Sequence, residues 1–587
     1  MNSATLPFDH INHEPLTGEQ RAYLEGLFAG LQNRGLSFND VEPNPAARPA
    51  KASDEPLIFE ERVKRELHPL DAYPVLLEHA ATNRAPDKES VFRFKWNGLF
   101  FLSPNKEAFM ARLRIPGGEL KTFQLREIAR VAAELTTGCV QITTRANLQI
   151  RLIQPQDTPE VLRRIQSVGL HTRGAGADNI RNLTASPTAG IDPHELIDVL
   201  PLTRQLGQFI LHHREFYDLP RKFNVAFDGG GLVGTAEDTN DIGLRAVEVA
   251  QAAPGLEPGV YFRVALGGAT GHQAFARDLG ILVRPDLALA VVVALIRVYI
   301  AHGNRTDRKK ARLKHLLEQW SLEKYLAETE KLLGLTLPRA PLDAQGRSPL
   351  ETPRCPPSVP HSHIGVFPQK QKGLSYVGVA LPVGQITPKQ LLRLADLADH
   401  YGSGELRLTI WQNVIIPNVA NGFIEPLKKA LVKMGLDWRQ SHVRSGVIAC
   451  TGNSYCKFAS SNTKGHALEL ADYLDKRLQL DQPVNIHVTG CPNSCAQHYI
   501  GDIGLLATKV KVGGESVEGY HVFVGGGFGE RRALGRQVFQ GISFNQLKPT
   551  LERMLQAFLT HRAPGETFQT FTQRHDLNRL QVLFSNE

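Results

Sequence analysis

Residues 111–153, "ARLRIPGGELKTFQLREIARVAAELTTGCVQITTRANLQIRLI", decide the fold, because residues 378–419, "GVALPVGQITPKQLLRLADLADHYGSGELRLTIWQNVIIPNV", repeat their pattern. The matching pairs, always 266 residues apart, are Gly118 and Gly384, Gln124 and Gln390, Ala129 and Ala395, Gly138 and Gly404, Thr143 and Thr409, and Asn147 and Asn413. Two unrelated amphipathic helices would not keep this register through the strands on either side. The pattern indicates a duplicated module.

Each copy has the pattern of a strand, a helix, two strands joined by a tight connection, and a second helix. In the first copy Leu125, Ile128, Ala129, Ala132 and Leu135 follow a helical period. Val140 and Ile142, then Leu148 and Ile150, alternate as strand residues do. The sequence therefore predicts an α+β protein with pseudo-twofold symmetry and a cleft where the two halves meet.

The same offset relates two further segments, of which one contains cysteines. "RNLTASPTAG" (181–190) corresponds to "VIACTGNSYC" (447–456), so that Thr184 aligns with Cys450 and Gly190 with Cys456. The second copy therefore has thiols where the first has none. We expect one half to hold a metal while the other half carries a different task.

Four of the six cysteines lie close together in the sequence. Their pattern is C-x5-C, then 34 residues, then C-x3-C, formed by Cys450, Cys456, Cys491 and Cys495. The other two cysteines, Cys139 and Cys355, are isolated in the sequence. The second pair suits zinc, the first suits it poorly, and the C-x-x-C of a redox pair is absent. Iron–sulfur clusters take four thiolates at more variable spacing. Spacing alone leaves a cluster, zinc and buried free thiols open.

The composition is that of an ordinary globular protein, with 42% apolar and 21% charged residues and a formal net charge of +8. The positive charges are spread along the chain, which argues against a nucleic-acid arm and suits an acidic partner or a small anionic substrate. The N-terminus lacks the pattern of a signal peptide. "LALAVVVALI" (287–296), before Arg297, is too short to span a membrane and predicts a buried helix. We expect a cytoplasmic protein that binds neither membrane nor nucleic acid.

Several motifs, in order along the chain, resemble those of the sirohaem-dependent nitrite and sulfite reductases. The cysteine motifs are "ACTGNSYCKFA" (449–459) and "VTGCPNSCAQ" (488–497). The others are "FMARLRIPGG" (109–118), "TTRANLQIR" (143–151), "DNIRNLTASP" (178–187), "LPRKFNVAF" (219–227) and "NRTDRKKARLKHL" (304–316). The resemblance extends from about residue 60 to the end, and internal duplication is itself a trait of that family.

This resemblance implies the fold and the cofactors. It implies an α+β, internally duplicated nitrite/sulfite reductase fold, with two ferredoxin-like half-domains and two cofactor-binding α+β domains. The cysteines Cys450, Cys456, Cys491 and Cys495 would bind a [4Fe–4S] cluster. By motif position, Cys495 would also be the axial ligand of the sirohaem iron, which couples the two centres.

The resemblance also implies which polar residues bind substrate and sirohaem. Arg112, Arg145, Lys222 and Asn224 match the positions that handle the substrate oxyanion, where fixed cations stabilise developing charge. Sirohaem carries many carboxylates and therefore needs further basic partners. The candidates are Arg181, Arg221, Arg308, Lys310 and Arg312.

The expected reaction is the six-electron reduction of nitrite to ammonia. The sulfite branch has a second lysine two residues after the first, and here Asn224 follows Lys222 in "RKFN". A singly charged anion needs that cation less than doubly charged sulfite does. Sulfite reduction with the same cofactors, and a zinc-binding scaffold without redox activity, remain the alternatives.

The electrons must come from another protein. "HVFVGGGFGERRALG" (521–535) has Glu530 where a dinucleotide motif requires glycine, and we expect a tight turn near the cofactors. With neither a flavin nor a nicotinamide domain apparent, a small acidic ferredoxin is the expected donor for a monomeric enzyme with a basic surface.

Six segments are expected along the chain. They are an N-terminal extension (1–90), the first ferredoxin-like half-domain (91–155), a sirohaem and substrate domain (156–337), a proline-rich linker (338–363), the second half-domain (364–420), and a [4Fe–4S] and sirohaem domain (421–587). The segment "ISFNQLKPTLERMLQAFLTHR" near the end predicts one amphipathic helix.

Overall fold

The computed structural model describes residues 57–102, 106–138, 140–253, 255–343, 346, 348–352 and 361–585, together with 10–11 and 14–16. The chain divides into a small unit, 1–55, and a large unit, 56–587. In the small unit, strand β1 (His10–Ile11) pairs with strand β2 (Glu14–Pro15). Most of the predicted N-terminal extension, as well as Cys139 and Cys355, lies outside the described residues.

The large unit mixes strands and helices along its whole length. Its strands are β3 (Leu99–Phe101), β4 (Phe109–Arg112), β5 (Glu119–Lys121), β6 (Val140–Ile142), β7 (Leu148–Ile153), β8 (Ile180–Ala185), β9 (Phe223–Asp228), β10 (Ile242–Val249), β11 (Gly259–Leu266), β12 (Arg277–Val283), β13 (Gly365–Pro368), β14 (Leu374–Val379), β15 (Gln385–Ile386), β16 (Glu405–Leu408), β17 (Val414–Ala420), β18 (Val447–Ala449), β19 (Ile486–Thr489), β20 (Ile503–Val512), β21 (Glu515–Val524) and β22 (Arg536–Ser543). Its α-helices are α1 (Phe59–Glu66), α2 (Tyr73–Thr82), α3 (Lys88–Arg93), α4 (Thr122–Glu134), α5 (Thr158–Ser167), α6 (Leu200–His212), α7 (Ala288–His302), α8 (Leu313–Gln319), α9 (Leu322–Leu333), α10 (Pro388–Tyr401), α11 (Ile424–Lys433), α12 (Val443–Gly446), α13 (Thr463–Asp475), α14 (Phe544–His561), α15 (Phe568–Arg574) and α16 (Leu577–Ser585).

The strands of the large unit form four five-stranded sheets, two for each copy of the duplication. The half-domain sheets have the orders β15-β6-β7-β4-β3 and β13-β14-β17-β16-β5. The other two have the orders β12-β11-β10-β9-β8 and β18-β19-β20-β21-β22. In both of these, three parallel strands are followed by two antiparallel ones. The predicted α+β fold with pseudo-twofold symmetry is confirmed.

The backbone repeats the duplication residue by residue. Left-handed residues recur 266 positions apart: Gly118 and Gly384, Gly138 and Gly404, Ala146 and Gln412, Leu152 and Asn418, and Gly169 and Gly435. The shared asparagine also has one structural task in both copies. Asn147 Oδ1 accepts a hydrogen bond from the Ile115 amide at 2.9 Å, and Asn413 Oδ1 accepts one from the Leu381 amide at 2.8 Å.

The two half-domains exchange their short strands. Strand β5 of the first copy pairs with β16 of the second, and β15 of the second copy pairs with β6 of the first. Each sheet is therefore completed by a strand from the other copy, which covers an otherwise open edge. Helices α4 and α10 also pack on each other. The two half-domains consequently share a single apolar core.

The predicted helix and strands of the repeat are present. Helix α4 buries the face predicted from the 3.6-residue period, and strands β6 and β7 follow it. Helix α5 packs on α4 although it lies beyond residue 155, and α11 packs on α10 although it lies beyond residue 420. We therefore propose that each half-domain extends past its predicted boundary to include this helix.

The apolar helix and the C-terminal helix occupy two further cores. Among the described residues, Pro285–His302 is the one stretch long and apolar enough to cross a membrane, and half of it is buried. It contains α7, whose apolar residues pack against the sheet formed by β8 to β12. Helix α14 covers the sheet of β18 to β22 with one buried face, despite Pro549 inside it.

The exchanged strands make a prediction about stability. At Gly384, where φ is 66°, an added Cβ would lie 2.7 Å from the Ile142 carbonyl oxygen, at the point where β15 joins the other copy. We expect Gly384→Ala to lower the free energy of unfolding by about 3 kcal/mol, since backbone strain and a backbone clash add. Denaturant unfolding measures this loss.

Gly513 provides the matched control. Its φ is 58°, yet an added Cβ would meet nothing within 4 Å. Gly513→Ala should therefore show only the conformational cost, about 1 kcal/mol. Equal losses in the two variants would contradict a special constraint at the strand exchange.

Candidate active site between the two halves

A cavity of about 450 Å³ lies between the first copy and the cysteine-bearing part of the second. Its walls combine cations from the first copy with thiols from the second. The predicted site residues that line it are Arg112, Arg145, Arg181, Lys222, Asn224, Arg312, Cys450 and Cys495. The cleft predicted from the duplication is therefore present, and its volume is typical of a site for a small molecule or cofactor.

Four cations in the cavity wall lack an acidic partner within the part of the chain that the structure describes. Among the described residues, no carboxylate lies within 4.0 Å of Arg112, Arg145, Arg181 or Lys222. Burial lowers the pKa of Arg112 and Arg145 to about 10 and that of Arg181 to about 9. Burial, with Arg312 and Arg181 nearby, lowers the pKa of Lys222 to about 7. Desolvated cations that repel one another favour the binding of an anion.

The two predicted substrate arginines donate hydrogen bonds to neutral acceptors. Arg112 lies 4.6 Å from the Phe100 ring centroid and donates to the Ala175 carbonyl at 3.3 Å, while its buried Nε has no partner. Arg145 donates to the hydroxyl and the carbonyl of Thr239 at 3.4 and 3.5 Å. With the Gln497 side-chain amide oriented to satisfy its hydrogen bonds, its oxygen also accepts from the two terminal nitrogens of Arg145 at 3.1 and 3.2 Å. These contacts with neutral acceptors leave the charge of both guanidinium groups uncompensated, which favours the binding of an anion.

Asp241 organises the adjoining part of the wall. It accepts a hydrogen bond from Arg312 at 2.8 Å and one from the backbone amide of Asn224 at 2.9 Å. The side-chain amide of Asn224 is also directed toward this carboxylate, at 3.4 Å. Arg312 is thus a paired cation, and Asn224 presents a neutral amide to the cavity.

Three of the predicted sirohaem contacts lie outside the cavity lining. Arg308 donates to Asp178 at 2.8 Å, and Arg221 lies 3.6 Å from the same carboxylate. Lys310 is exposed on the surface. These three side chains do not line the cavity, so their contact with sirohaem stays a prediction. Arg181 and Arg312, in contrast, line the cavity.

The strand order brings the two cysteine motifs together. Cys450 follows β18 and Cys491 follows the neighbouring parallel strand β19. All four thiols are free. The Cys450 sulfur accepts a hydrogen bond from the backbone amide of Gly490 at 3.1 Å. Cys450 and Cys495 line the cavity, whereas Cys456 and Cys491 are not part of its lining.

Two of the four thiols disfavour ionisation without a bound cation. Burial raises the pKa of Cys491, and burial together with Cys450 raises the pKa of Cys495 to about 11, although its sulfur opens onto the cavity. A bound metal reverses this preference, because it deprotonates its thiol ligands. Within the described part of the chain, no three His, Cys, Asp or Glu side chains are close enough to hold one metal ion. The four thiols with a backbone N–H donor to sulfur suit a multi-iron cluster, in which each thiolate can bind a different iron.

Several cavity residues were not predicted from the sequence. Thr144 belongs to the quoted "TTRAN" motif and donates from its hydroxyl to the Cys495 carbonyl at 2.8 Å. Lys464, His272 and Gly271 belong to none of the quoted motifs. Gly271 is required by close approach, since an added Cβ would lie 2.8 Å from the Asn493 carbonyl oxygen. Their place in the cavity follows from contacts between distant parts of the chain, which the sequence does not show.

The glycine-rich loop is a packing element next to the cysteine turn. An added Cβ at Gly526 would lie 2.6 Å from the carbonyl oxygens of both Tyr499 and Gly501. A short 3₁₀ turn, Gly529–Arg531, and then strand β22 follow it, in place of the helix that a dinucleotide site requires. This is the tight turn expected from the sequence.

Comparison with known proteins follows the same division of the chain. Residues 176–337 and 441–583 match the family model described as "Nitrite and sulphite reductase 4Fe-4S domain". Residues 103–168 and 367–434 match the one described as "Nitrite/Sulfite reductase ferredoxin-like half domain".

Individual relatives agree with this match. The ferredoxin–nitrite reductase of Synechococcus elongatus is 36% identical over 79% of this chain and 88% of its own length. The assimilatory ferredoxin-dependent nitrite reductase of Haloferax mediterranei is 33% identical over 82% of this chain and 84% of its own length. The solved structure of the Mycobacterium tuberculosis NirA protein is 29% identical, with a TM-score of 0.81 over 90% of this chain and 98% of that one. The chain belongs to the nitrite and sulphite reductase family.

Proposed function

We propose that the protein catalyses the assimilatory reduction of nitrite to ammonia with electrons from reduced ferredoxin. One observation carries this proposal: desolvated cations, which have no acidic partner among the described residues, line the same cavity as Cys495. The names of the relatives, ferredoxin–nitrite reductases from cyanobacteria, plants and an archaeon, support the same reaction.

The cysteine wall and the cation wall are suited to different groups. A [4Fe–4S] cluster would be held by Cys450, Cys456, Cys491 and Cys495, whose thiols are free, and Cys495, which opens onto the cavity, would also bind a sirohaem iron. Together the two cofactors would supply the electrons for the reduction. Arg181 and Arg312 would bind carboxylates of the macrocycle, because both present guanidinium groups to the cavity.

Three cations would handle nitrite on the opposite side. Arg112, whose buried Nε has no partner among the described residues, and Arg145, which contacts only neutral acceptors there, would bind and orient an anion. Lys222, with a pKa near 7, can hold a proton at neutral pH and release it to a leaving oxygen. Fixed donors that are already desolvated stabilise negative charge more strongly than water does.

The neutral amide at position 224 favours nitrite over sulfite. A lysine there would add positive charge, and doubly charged sulfite would gain more from it than nitrite. In this chain Asn224 instead shares Asp241 with Arg312, which limits the local positive charge. This arrangement supports nitrite as the substrate.

The donor and the cellular setting are part of the proposal. The net charge of +8 suits a small acidic ferredoxin, whose approach would be steered electrostatically. We further propose a monomeric, cytoplasmic enzyme that associates with neither membrane nor nucleic acid.

The two roles of the cysteines predict an asymmetry between variants. Cys491→Ser should reduce the iron content of the cluster first, because this buried thiol does not line the cavity. Cys495→Ser should change both the cluster and the sirohaem absorption bands, since it would bind both. Iron analysis and visible spectroscopy of the purified proteins measure this difference. Identical spectra in the two variants, or a colourless zinc-containing wild type, would exclude the shared ligand.

Arg145 should contribute to nitrite turnover with little effect on folding. We expect Arg145→Gln to lower kcat/KM for nitrite about 100-fold, the usual size of losing one preorganised charge at an active site. Arg163→Gln is the control, because Arg163 lies on the exposed side of α5. A change below about twofold in Arg145→Gln, with sirohaem content unchanged, would remove Arg145 from the substrate site.

The substrate assignment is tested with one chemical reductant and both anions. The wild type should have a higher kcat/KM for nitrite than for sulfite, and Asn224→Lys should shift this ratio toward sulfite by about tenfold, from one added cation. Asn224→Gln, which keeps a neutral amide, is the control. A wild type that prefers sulfite would overturn the substrate but leave the cofactors in place.

A further inference from the structure

The turn that carries Cys495 has an unusual backbone. Ser494 and Gln497 have φ values of 51° and 56°, in the left-handed region that disfavours residues other than glycine. Each such residue costs on the order of 1 kcal/mol, so the turn persists only if its surroundings hold it. Cys495 lies between these two residues and opens onto the cavity.

Contacts from the cysteine half support the turn from behind. The buried His487 ring donates from Nδ1 to the Ala496 carbonyl at 2.8 Å, and Gln497 O lies 3.2 Å from the same nitrogen. Ser494 and His498 share a hydrogen bond of 2.9 Å. These bonds fix the residues on either side of Cys495 but leave its own carbonyl to another partner.

That partner comes from the other half of the protein. Thr144 Oγ1 donates to the Cys495 carbonyl at 2.8 Å, across 351 positions of the chain. Thr144 lies in the tight connection between β6 and β7. The Thr143 hydroxyl holds this connection, because its Oγ1 accepts hydrogen bonds from the backbone amides of Arg145 and Asn147 at 3.2 Å each. The same connection presents Arg145 to the cavity.

We propose that Thr144 is a positioning residue that sets the direction of the Cys495 sulfur toward the sirohaem iron. Fixing the carbonyl fixes the peptide plane, and the short cysteine side chain then has only a few staggered positions for its sulfur. Thr144 and Arg145 are neighbours in the chain. The connection between β6 and β7 therefore determines the positions of both the Cys495 sulfur and the Arg145 guanidinium group. This inference rests on the proposed function for the identity of the bound haem.

The bond is too weak to be needed for folding. A single neutral hydrogen bond contributes about 1 kcal/mol to stability, and Thr144 lies on the cavity wall outside the main cores. Its loss should therefore affect the geometry of the cysteine turn while the protein remains folded.

The test compares Thr144→Val, which keeps the shape and removes the hydroxyl, with Thr144→Ser, which restores the donor. In the holoprotein, Thr144→Val should retain the iron of the cluster but shift or lose the sirohaem absorption bands and change the midpoint potential of the haem. We expect kcat to fall about tenfold while KM for nitrite changes less than about twofold. Thr144→Ser should restore all three properties.

Two further variants separate this effect from general disturbance. Thr560→Val removes another hydroxyl that donates to a backbone carbonyl, on the exposed end of α14, and should leave the bands and the potential unchanged. Thr144→Ala also removes the hydroxyl but adds no methyl group. It should change the absorption bands and the midpoint potential as Thr144→Val does, which shows that the valine methyl groups are not the cause.

The proposal is overturned if Thr144→Val has the spectrum and potential of the wild type, or if Thr144→Ser is impaired as strongly as Thr144→Val. Spectrum and potential are measured without nitrite. A wild type that binds sirohaem but fails to reduce nitrite would therefore refute the proposed reaction and leave the positioning role intact.

Discussion

The exchange of β5 and β15 between the two half-domains is the constraint on which the rest of the structure depends. It fixes the copies in one relative position, because neither sheet is complete without a strand from the other. The tight connections after β6 and β16 are thereby held on opposite sides of a pseudo-twofold axis. The first connection meets the cysteine turns of the second copy, where Thr144 donates to the Cys495 carbonyl, and the cavity lies beside this contact.

The duplication produces two equivalent positions for the substrate arginines, one in each copy, but the arginines occur only in the first copy. The residues that correspond to Arg112 and Arg145 are Gly378 and Trp411. Trp411 is buried and stacks on the His363 ring with centroids 4.4 Å apart, and an added Cβ at Gly378 would lie 2.1 Å from the His363 carbonyl. The second place is thus filled by the segment around residue 363, so the two halves share a backbone and differ in chemistry.

Much of this organisation could be predicted from the sequence, because the repeat keeps its periodicities and turn residues in register. The arginines and cysteines that line the cavity were named from the cysteine spacing and from motifs that resemble a known family, because the second copy has Gly378 and Trp411 where the first has Arg112 and Arg145. The choice among further basic residues had charge as its only signal. Arg221 and Arg308 lie near the buried Asp178, which no local pattern reveals, and their contact with sirohaem stays a prediction. Lys464 and His272 escaped because their role depends on contacts between distant parts of the chain.

The pairing of β5 with β16 joins residues separated by nearly half of the chain. Contacts of such long range form late, since the entropy of closing a large loop must be overcome before they contribute stability. During synthesis, the first half emerges from the ribosome with a sheet edge unpaired and its cationic wall open to solvent. The cavity can close only after the chain has been made as far as Cys495, so a group held between its two walls can be enclosed only late in synthesis.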